Sequence, residues 1–371
     1  MRRFSFTRSE YHSFDLLFTF ARMKNSIFLF LLIAMAYACN NTNKSPRTQD
    51  DLPIHQDTVN IAEQEDFYSD SLNNYIAEHP NSADALLARA NLYIKNRNLK
   101  YAFADAQAAM QMDSLNPAAL LVWGDVNYLG NKTRISKNAW ENCIKVDKNN
   151  IDCRLKLAEL YNVVQEFGKS QKLVDEVIAL DKNQPVAYYI KGINLRDMRG
   201  DTASALQYFQ KAIDLDNNYI SAIDMMGVLL SAKKDPLCLA YFNRILEIDP
   251  NHYPTYYNMG MFYMNTEDWN NAIKSFTKCT QINPRDIESL FNLGYIHLQL
   301  GANDIARDYF SQSLKIEPIN HRALYGRGYA YELLGDIPNA EKDYRLALSY
   351  NPQHEGSKQG LQRIMKNKQL K

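Results

Sequence analysis

The sequence predicts an all-α chain: a solenoid of about eight helix-turn-helix repeats with a capping helix at each end. Three observations carry this. First, short polar turns recur, as "MDSLNP", "VDKNNI", "LDKNQP", "LDNNYI", "IDPNHY", "INPRDI", "IEPINH" and "YNPQHE". Their equivalent residues are Ser114, Lys148, Lys182, Asn217, Pro250, Pro284, Pro318 and Pro352, spaced by 34, 34, 35, 33, 34, 34 and 34. A fixed period in this range is the mark of stacked supersecondary units. Second, columns of small and bulky residues keep step with that period. Third, the chain of 371 residues carries 24 Tyr and 16 Phe but only 14 Gly and 12 Pro, a helical rather than a turn-rich composition.

The elements follow in order. From Met23 to Cys39 the chain reads "MKNSIFLFLLIAMAYAC". Lys24 is a positive start, Ile27 to Met35 an apolar run, and Ala36-Tyr37-Ala38 a small-x-small cleavage pattern. The run is short of the ~18–20 residues that span a bilayer. Residues 1–38 are therefore expected to be a signal peptide. Arg22 interrupts the upstream apolar "FDLLFTF", so residues 1–22 read as a misplaced start. The segment resembles a bacterial lipoprotein signal, which implies that Cys39 is lipidated and becomes the first mature residue. Ordinary cleavage after Ala38 and an uncleaved anchor are the alternatives. Residues 39–60, rich in Asn, Thr, Asp and Pro, form a flexible tether. Residues 61–82 hold an N-terminal capping helix around Phe67, Leu72 and Ile76. Eight repeats then occupy 83–354, as 83–116, 117–150, 151–184, 185–219, 220–252, 253–286, 287–320 and 321–354. The last segment, 355–371, places Leu361, Ile364 and Met365 on one face and lysines elsewhere, as a solvating cap would.

Within the repeats, a small residue stands about 24 before each closing position: Ala90, Gly124, Ala158, Gly192, Gly227, Gly260, Gly294 and Gly328. Twelve before comes Ala102, Ser136, Ser170, Ala205, Cys238, Ala272, Ala306 or Ala340. Eight before comes a mostly bulky residue: Ala106, Trp140, Val174, Phe209, Phe242, Phe276, Phe310 or Tyr344. Tyr256-x2-Met259-Gly260-x2-Tyr263, followed by Ala272-x3-Phe276 and Pro284, resembles the tetratricopeptide (TPR) repeat. The resemblance covers about 83–354 and is strongest over 253–354. It implies a right-handed superhelix in which the two helices of each unit pack antiparallel. The closing Pro, poorly tolerated inside a helix, begins the turn into the next unit. The 33-residue unit at 220–252, with its shortened "SAKKDP" turn, is the expected place for a local kink.

The chain offers little chemistry. Lys+Arg and Asp+Glu both number 42, so a balanced charge gives no footprint for nucleic acid. The cysteines at 39, 143, 153, 238 and 279 show no C-x-x-C pairing, so neither a disulfide framework nor a zinc site is indicated. Cys143, Cys238 and Cys279 fall on compact packing positions and read as buried thiols. A Cys143–Cys153 bridge, with Cys153 one turn into the next helix, is the alternative in an oxidising compartment. The histidines are dispersed, and His297 reads as a packing residue. "YGRGYA" at 325–330 lacks the preceding strand of a phosphate loop. No catalytic residue, metal, cofactor or small-molecule substrate is expected.

What remains is the groove that this family lines with the first helix of each unit. The resemblance implies Tyr257, Asn258, Met261, Met264, Phe291, Asn292, Tyr295, Leu298, Tyr325 and Tyr329 as its lining in the C-terminal half. Asn91, Asp125, Glu159, Asn162 and Arg196 take the equivalent place earlier in the chain. An apolar-aromatic groove suits a helix or an extended peptide. The family's clamp for C-terminal carboxylates is not carried over, because Asn258 and Asn292 match but the cations, Arg322 apart, are missing. The sequence thus predicts a non-enzymatic protein-interaction scaffold, a membrane-anchored adaptor that binds protein or peptide segments during assembly of a cell-envelope complex. It would be held by the N-terminal lipid in the bacterial envelope, at the outer membrane facing the periplasm. A periplasmic chaperone-like peptide-binding module is the alternative.

Overall fold

The computed structural model describes residues 61–369. The signal segment, Cys39 and the tether lie outside the described residues. The described chain is all helical: α1 Ile61–Glu78, α2 Ala83–Lys95, α3 Leu99–Met112, α4 Pro117–Leu129, α5 Thr133–Val146, α6 Ile151–Val163, α7 Phe167–Leu180, α8 Pro185–Arg199, α9 Thr202–Leu215, α10 Ile220–Ala232, α11 Cys238–Ile248, α12 Tyr253–Asn265, α13 Trp269–Ile282, α14 Ile287–Gln299, α15 Asn303–Ile316, α16 His321–Leu333, α17 Ile337–Tyr350 and α18 Glu355–Gln369. None of these is long and apolar enough to cross a membrane. The described helices fall into two compact units, divided between Ala222 and Ile223.

Local chemistry sets where each helix begins and ends. Ser82, Asn116, Asn150, Asp201, Asp268, Asp286, Asn320 and Asp336 each accept a backbone N–H two or three residues on, capping a helix start. Pro117 and Pro185 open α4 and α8, where the missing N–H would be unpaired anyway. The Asp or Asn carried by seven of the eight closing turns has a physical role. Asp113, Asp147, Asp181, Asp216, Asp249, Asn283 and Asn351 accept the backbone N–H two residues ahead at 2.9–3.3 Å, which folds the chain back toward the next helix.

The turn inside each pair has its own register. One residue in each takes a left-handed backbone: Arg97, Asn131, Gln165, Gly200, Lys234, Glu267, Gly301 and Gly335, with φ between 58° and 80°. Five of the eight carry a side chain there, at a cost that glycine avoids. The irregular repeat lengths are absorbed locally. The extra residue of the fourth unit lengthens α8 to 15 residues. The fifth unit loses the start of its second helix, so α11 has 11 residues where the other second helices have 14.

Packing rests on one contact repeated along the chain. In the N-terminal unit Phe209 of α9 lies against Gly192 of α8, so closely that a β-carbon there would stand 2.6 Å from its ring. In the C-terminal unit the same construction gives 2.7 Å for Gly260 against Phe276 and 2.9 Å for Gly294 against Phe310. Where the first helix carries Ala instead, its partner is smaller: Ala90 is matched by Ala106 and Ala158 by Val174, all fully buried. A β-carbon on the first helix thus goes with loss of the ring on the second, since close packing leaves no room for both. Pairs then stack chiefly by laying the second helix of one against the first helix of the next, α3 on α4 and α7 on α8 in the N-terminal unit and α15 on α16 in the C-terminal one. Adjacent first helices touch one another, α2 with α4 and α6 with α8 in the N-terminal unit, α14 with α16 in the C-terminal one. Bidentate ion pairs brace two hairpins at one register. Arg89 reaches Asp105 at 2.7 Å, Arg327 reaches Asp343 at 2.7 Å, and both aspartates are buried.

One reading of the cysteines is corrected. Cys143 and Cys153 are disulfide-bonded, with Cα atoms 6.3 Å apart, so Cys143 is not a buried thiol. The closing turn at 147–150 reverses the chain, and these two residues, each five from Lys148, meet across it at fully buried positions. Cys238 and Cys279 are free and buried.

Three outcomes are expected in denaturation of the full chain. Gly260→Ala destabilises by about 1–3 kcal/mol by overpacking, and Phe276→Ala by about 3–5 kcal/mol by opening a cavity. Glu267→Gly, at φ 61°, stabilises by about 1 kcal/mol; an unchanged or lowered midpoint would show that the turn carries no such strain.

Candidate functional site

In the C-terminal unit the first helices α12, α14 and α16 present two columns at the 34-residue period. One is Tyr257, Phe291 and Tyr325; the other is Met261, Tyr295 and Tyr329. The structure divides them by burial. Tyr257, Asn258, Met261, Phe291, Tyr295 and Tyr329 are half-buried, whereas Met264, Asn292 and Tyr325 are buried. Each of the buried three has a physical reason. Met264 sits in the cluster of Ala272, Phe276, Leu293 and Ile296. The Asn292 amide Nδ2 turns to Met261 Sδ at 3.5 Å. Tyr325 lies beneath α18, where its ring would meet a β-carbon on Gly356 at 2.7 Å, and it packs against Tyr344 and His354.

The half-buried residues are held by packing on their inner sides. Tyr257 sets its ring edge-on to Phe276 with centroids 5.7 Å apart. Phe291 makes the same contact with Phe310 at 5.5 Å. The Arg322 guanidinium lies 4.4 Å from the Phe291 ring and 4.0 Å from Glu288, so that cation is already engaged. Arg363 of α18 approaches Tyr329 at 5.7 Å. The second column therefore presents Met261, Tyr295 and Tyr329 as rigidly backed, partly exposed apolar groups, the form that favours binding anchors. His297 stacks on Tyr309, with centroids 5.5 Å apart.

Of the repeat signature on α12, Tyr256, Met259 and Tyr263 are half-buried and Gly260 is buried, as are the adjacent Phe262 and Met264. First helices are packed by their own second helix and by both neighbouring pairs, so little of their circumference is open.

Polar groups complete the face. Asn258 Nδ2 donates to Asp224 Oδ1 at 3.0 Å, joining α12 to α10. Burial lifts the Asp224 carboxyl to about 6, and the Asn258 hydrogen bond offsets part of that. In the N-terminal unit the equivalent face is charged. Lys156 of α6 reaches Asp125 of α4 at 3.8 Å, Glu159 lies one turn beyond it, and Asn162 donates to Asn194 Oδ1 of α8 at 2.9 Å. Asp125, Glu159 and Asn162 were legible from repeat position, but Lys156 was not. Its signal is the i, i+3 spacing to Glu159 on one helix face.

The comparisons agree with this architecture. Family models described as tetratricopeptide repeat match residues 253–286, 287–320 and 321–354. No curated protein matches the sequence. Among solved structures, a chain of the APC/C hetero-tetramer Cut9–Hcn1 is similar, with 16% identity, a TM-score of 0.56 and 82% of this chain covered. This chain spans 59% of that one's length. The C-terminal part of a TPR repeat-containing protein from Cytophaga hutchinsonii is similar with 16% identity and a TM-score of 0.52, over 64% of this chain and 98% of that one. Likeness at these identities concerns the fold.

Because the native Asp224 carboxyl titrates above the ordinary carboxylate value of about 3.9, the folded state holds that proton more tightly than the unfolded one. Its favourable contribution is complete below pH ~4 and is lost as pH rises toward 6. Asp224→Asn is expected to unfold on the order of 2–4 °C higher than the wild type at pH 8 and to converge with it near pH 4. A variant less stable than wild type at pH 8 would contradict this. By repeat sequence and by fold, residues 253–354 are three tetratricopeptide repeats within an α-solenoid of the TPR type.

Proposed function

We propose that the protein is a non-enzymatic interaction scaffold, tethered to a bacterial membrane through a lipid on Cys39, that binds protein or peptide segments along its first-helix face during assembly of a cell-envelope complex. The observation that carries the binding part is the column Met261, Tyr295 and Tyr329. These are half-exposed apolar side chains at one register on three successive first helices, backed by a rigid core. A segment laid across the repeats would meet one anchor per repeat, a spacing that suits a helix or extended chain. The tether reading rests on the signal pattern ending at Cys39. The Cys143–Cys153 bond supports an extracytoplasmic location, because disulfides persist in oxidising compartments. The inferred place is the outer membrane, facing the periplasm.

Two experiments test this reading. Metabolic lipid labelling should reach the wild type and disappear in Cys39→Ala; labelling that persists would overturn the anchor. Crosslinking in native membranes should yield a defined protein partner. Replacing Met261, Tyr295 and Tyr329 together by Ser should reduce that crosslink about tenfold or more, as loss of apolar anchors does, while helical content is kept. An undiminished crosslink would exclude this face.

A further inference from the structure

One aromatic register of the C-terminal unit is half-open on two helices and closed on the third. Tyr257 of α12 and Phe291 of α14 are half-buried, whereas Tyr325, the equivalent residue of α16, is 8% exposed. Its cover is the first turn of α18, where a β-carbon on Gly356 would stand 2.7 Å from the Tyr325 ring. That turn reads Glu355-Gly356-Ser357-Lys358, and glycine and serine are weak helix formers. Its persistence therefore rests on how the turn is capped.

The cap is an imidazole. His354 immediately precedes α18, and its carbonyl accepts the Lys358 N–H at 3.2 Å. Its Nδ1 takes the place that an Asp or Asn oxygen holds at the starts of α14 and α16. The Ser357 backbone N–H donates to Nδ1 at 3.2 Å, and the Ser357 hydroxyl lies 2.9 Å from the same nitrogen. A backbone N–H can only donate, so Nδ1 is the unprotonated nitrogen of the ring. An imidazolium carries two N–H groups and no acceptor, so a proton on Nδ1 abolishes the cap. It also sets a positive charge at the positive end of the helix dipole.

The groups around the ring oppose that charge. From α16, the His321 ring stands edge-on to His354 with centroids 5.3 Å apart, Tyr325 packs against it at 5.0 Å, and the Arg322 guanidinium adds a like charge. From the turn after α17, the Asn351 carbonyl accepts the His354 backbone N–H at 3.0 Å. On α18, Glu355 favours the protonated ring, but it is paired with Lys358 at 2.9 Å. Glu317, before α16, acts on His321, and Glu288 of α14 lies 4.0 Å from Arg322. Burial first, then His321 and Arg322, hold the His354 ring down at about 4.

We propose that the first turn of α18 is an acid-released lid over Tyr325, latched by the His354 imidazole. When His354 takes a proton the latch is lost, the turn frays, and Tyr325 opens beside Tyr257 and Phe291. Leu361 and Ile364, buried farther along α18, and Arg363, bidentate to Glu332, keep the rest of the helix in place. In the open turn the ring returns toward its ordinary value of about 6.5. The closed form is therefore fully favoured above pH ~6.5 and is lost as pH falls toward 4. The consequence for binding rests on the interaction-scaffold reading: acid lengthens the aromatic register by one anchor.

The test is hydrogen–deuterium exchange of the full chain, with no partner present, at pH 7.5 and pH 5 and corrected for intrinsic exchange rates. Protection of the Ser357 and Lys358 amides should fall about tenfold or more at pH 5, while amides inside α14 keep theirs. His354→Asn supplies a capping oxygen that does not titrate, so its protection should stay level between the two pH values. His354→Ala should be weakly protected at both. Equal protection of the wild type at both pH values would overturn the lid, and so would a pH response that persists in His354→Asn. Either failure leaves the Met261, Tyr295 and Tyr329 face untouched, and an undiminished crosslink in that triple variant leaves the lid standing.

Discussion

The structure depends on how closely two helices of one repeat can approach. That distance is set where the aromatic ring of the second helix meets a residue with no side chain on the first. Phe276 over Gly260 leaves no space for even one added carbon. The contact recurs with Phe209 over Gly192 and Phe310 over Gly294, and it relaxes only where both partners change, as at Ala90 with Ala106. A solenoid has no central core to absorb errors, because each unit contacts only its neighbours. Each pair must therefore solve its packing alone, and the same solution appears along the chain.

That solution also governs what the protein can present. The second helix fixes the depth and rotation of the first, so side chains at one register recur on successive first helices. In the C-terminal unit the result is an apolar column, Met261, Tyr295 and Tyr329. In the N-terminal unit the same construction carries Asp125, Lys156 and Glu159. One backbone plan thus supports two chemically different faces, and the contrast rests on a few positions per repeat that the packing leaves open.

The all-α class and its repeat period were plain in the sequence because they are encoded many times over. The glycine and aromatic columns announce themselves by recurrence, and the Asp or Asn of each closing turn proves to be a hydrogen-bond acceptor for the chain reversal. Features that occur once were harder to read. The burial of Tyr325 depends on α18, and Gly356 gives it room only in three dimensions. Met264 and Asn292 share a register with groove positions but lose their exposure to neighbouring pairs. The Cys143–Cys153 bond was visible only as two cysteines equidistant from a turn. Lys156 carries no mark in repeat position, which does not show which charges meet across adjacent helices. In each case the deciding information is a contact between elements.

The most direct measurement of the central claim is a double-mutant cycle on Gly260 and Phe276. Stabilities of Gly260→Ala, Phe276→Leu and the combined variant would be compared with the wild type in chemical denaturation. If the ring against the bare backbone sets the helix spacing, the leucine relieves the crowding that the alanine creates. The double variant is then more stable than the sum of the single losses by about 1 kcal/mol or more, the coupling expected of residues in contact. Additive losses would mean that Gly260 and Phe276 act independently, and that the spacing of the pair is set elsewhere.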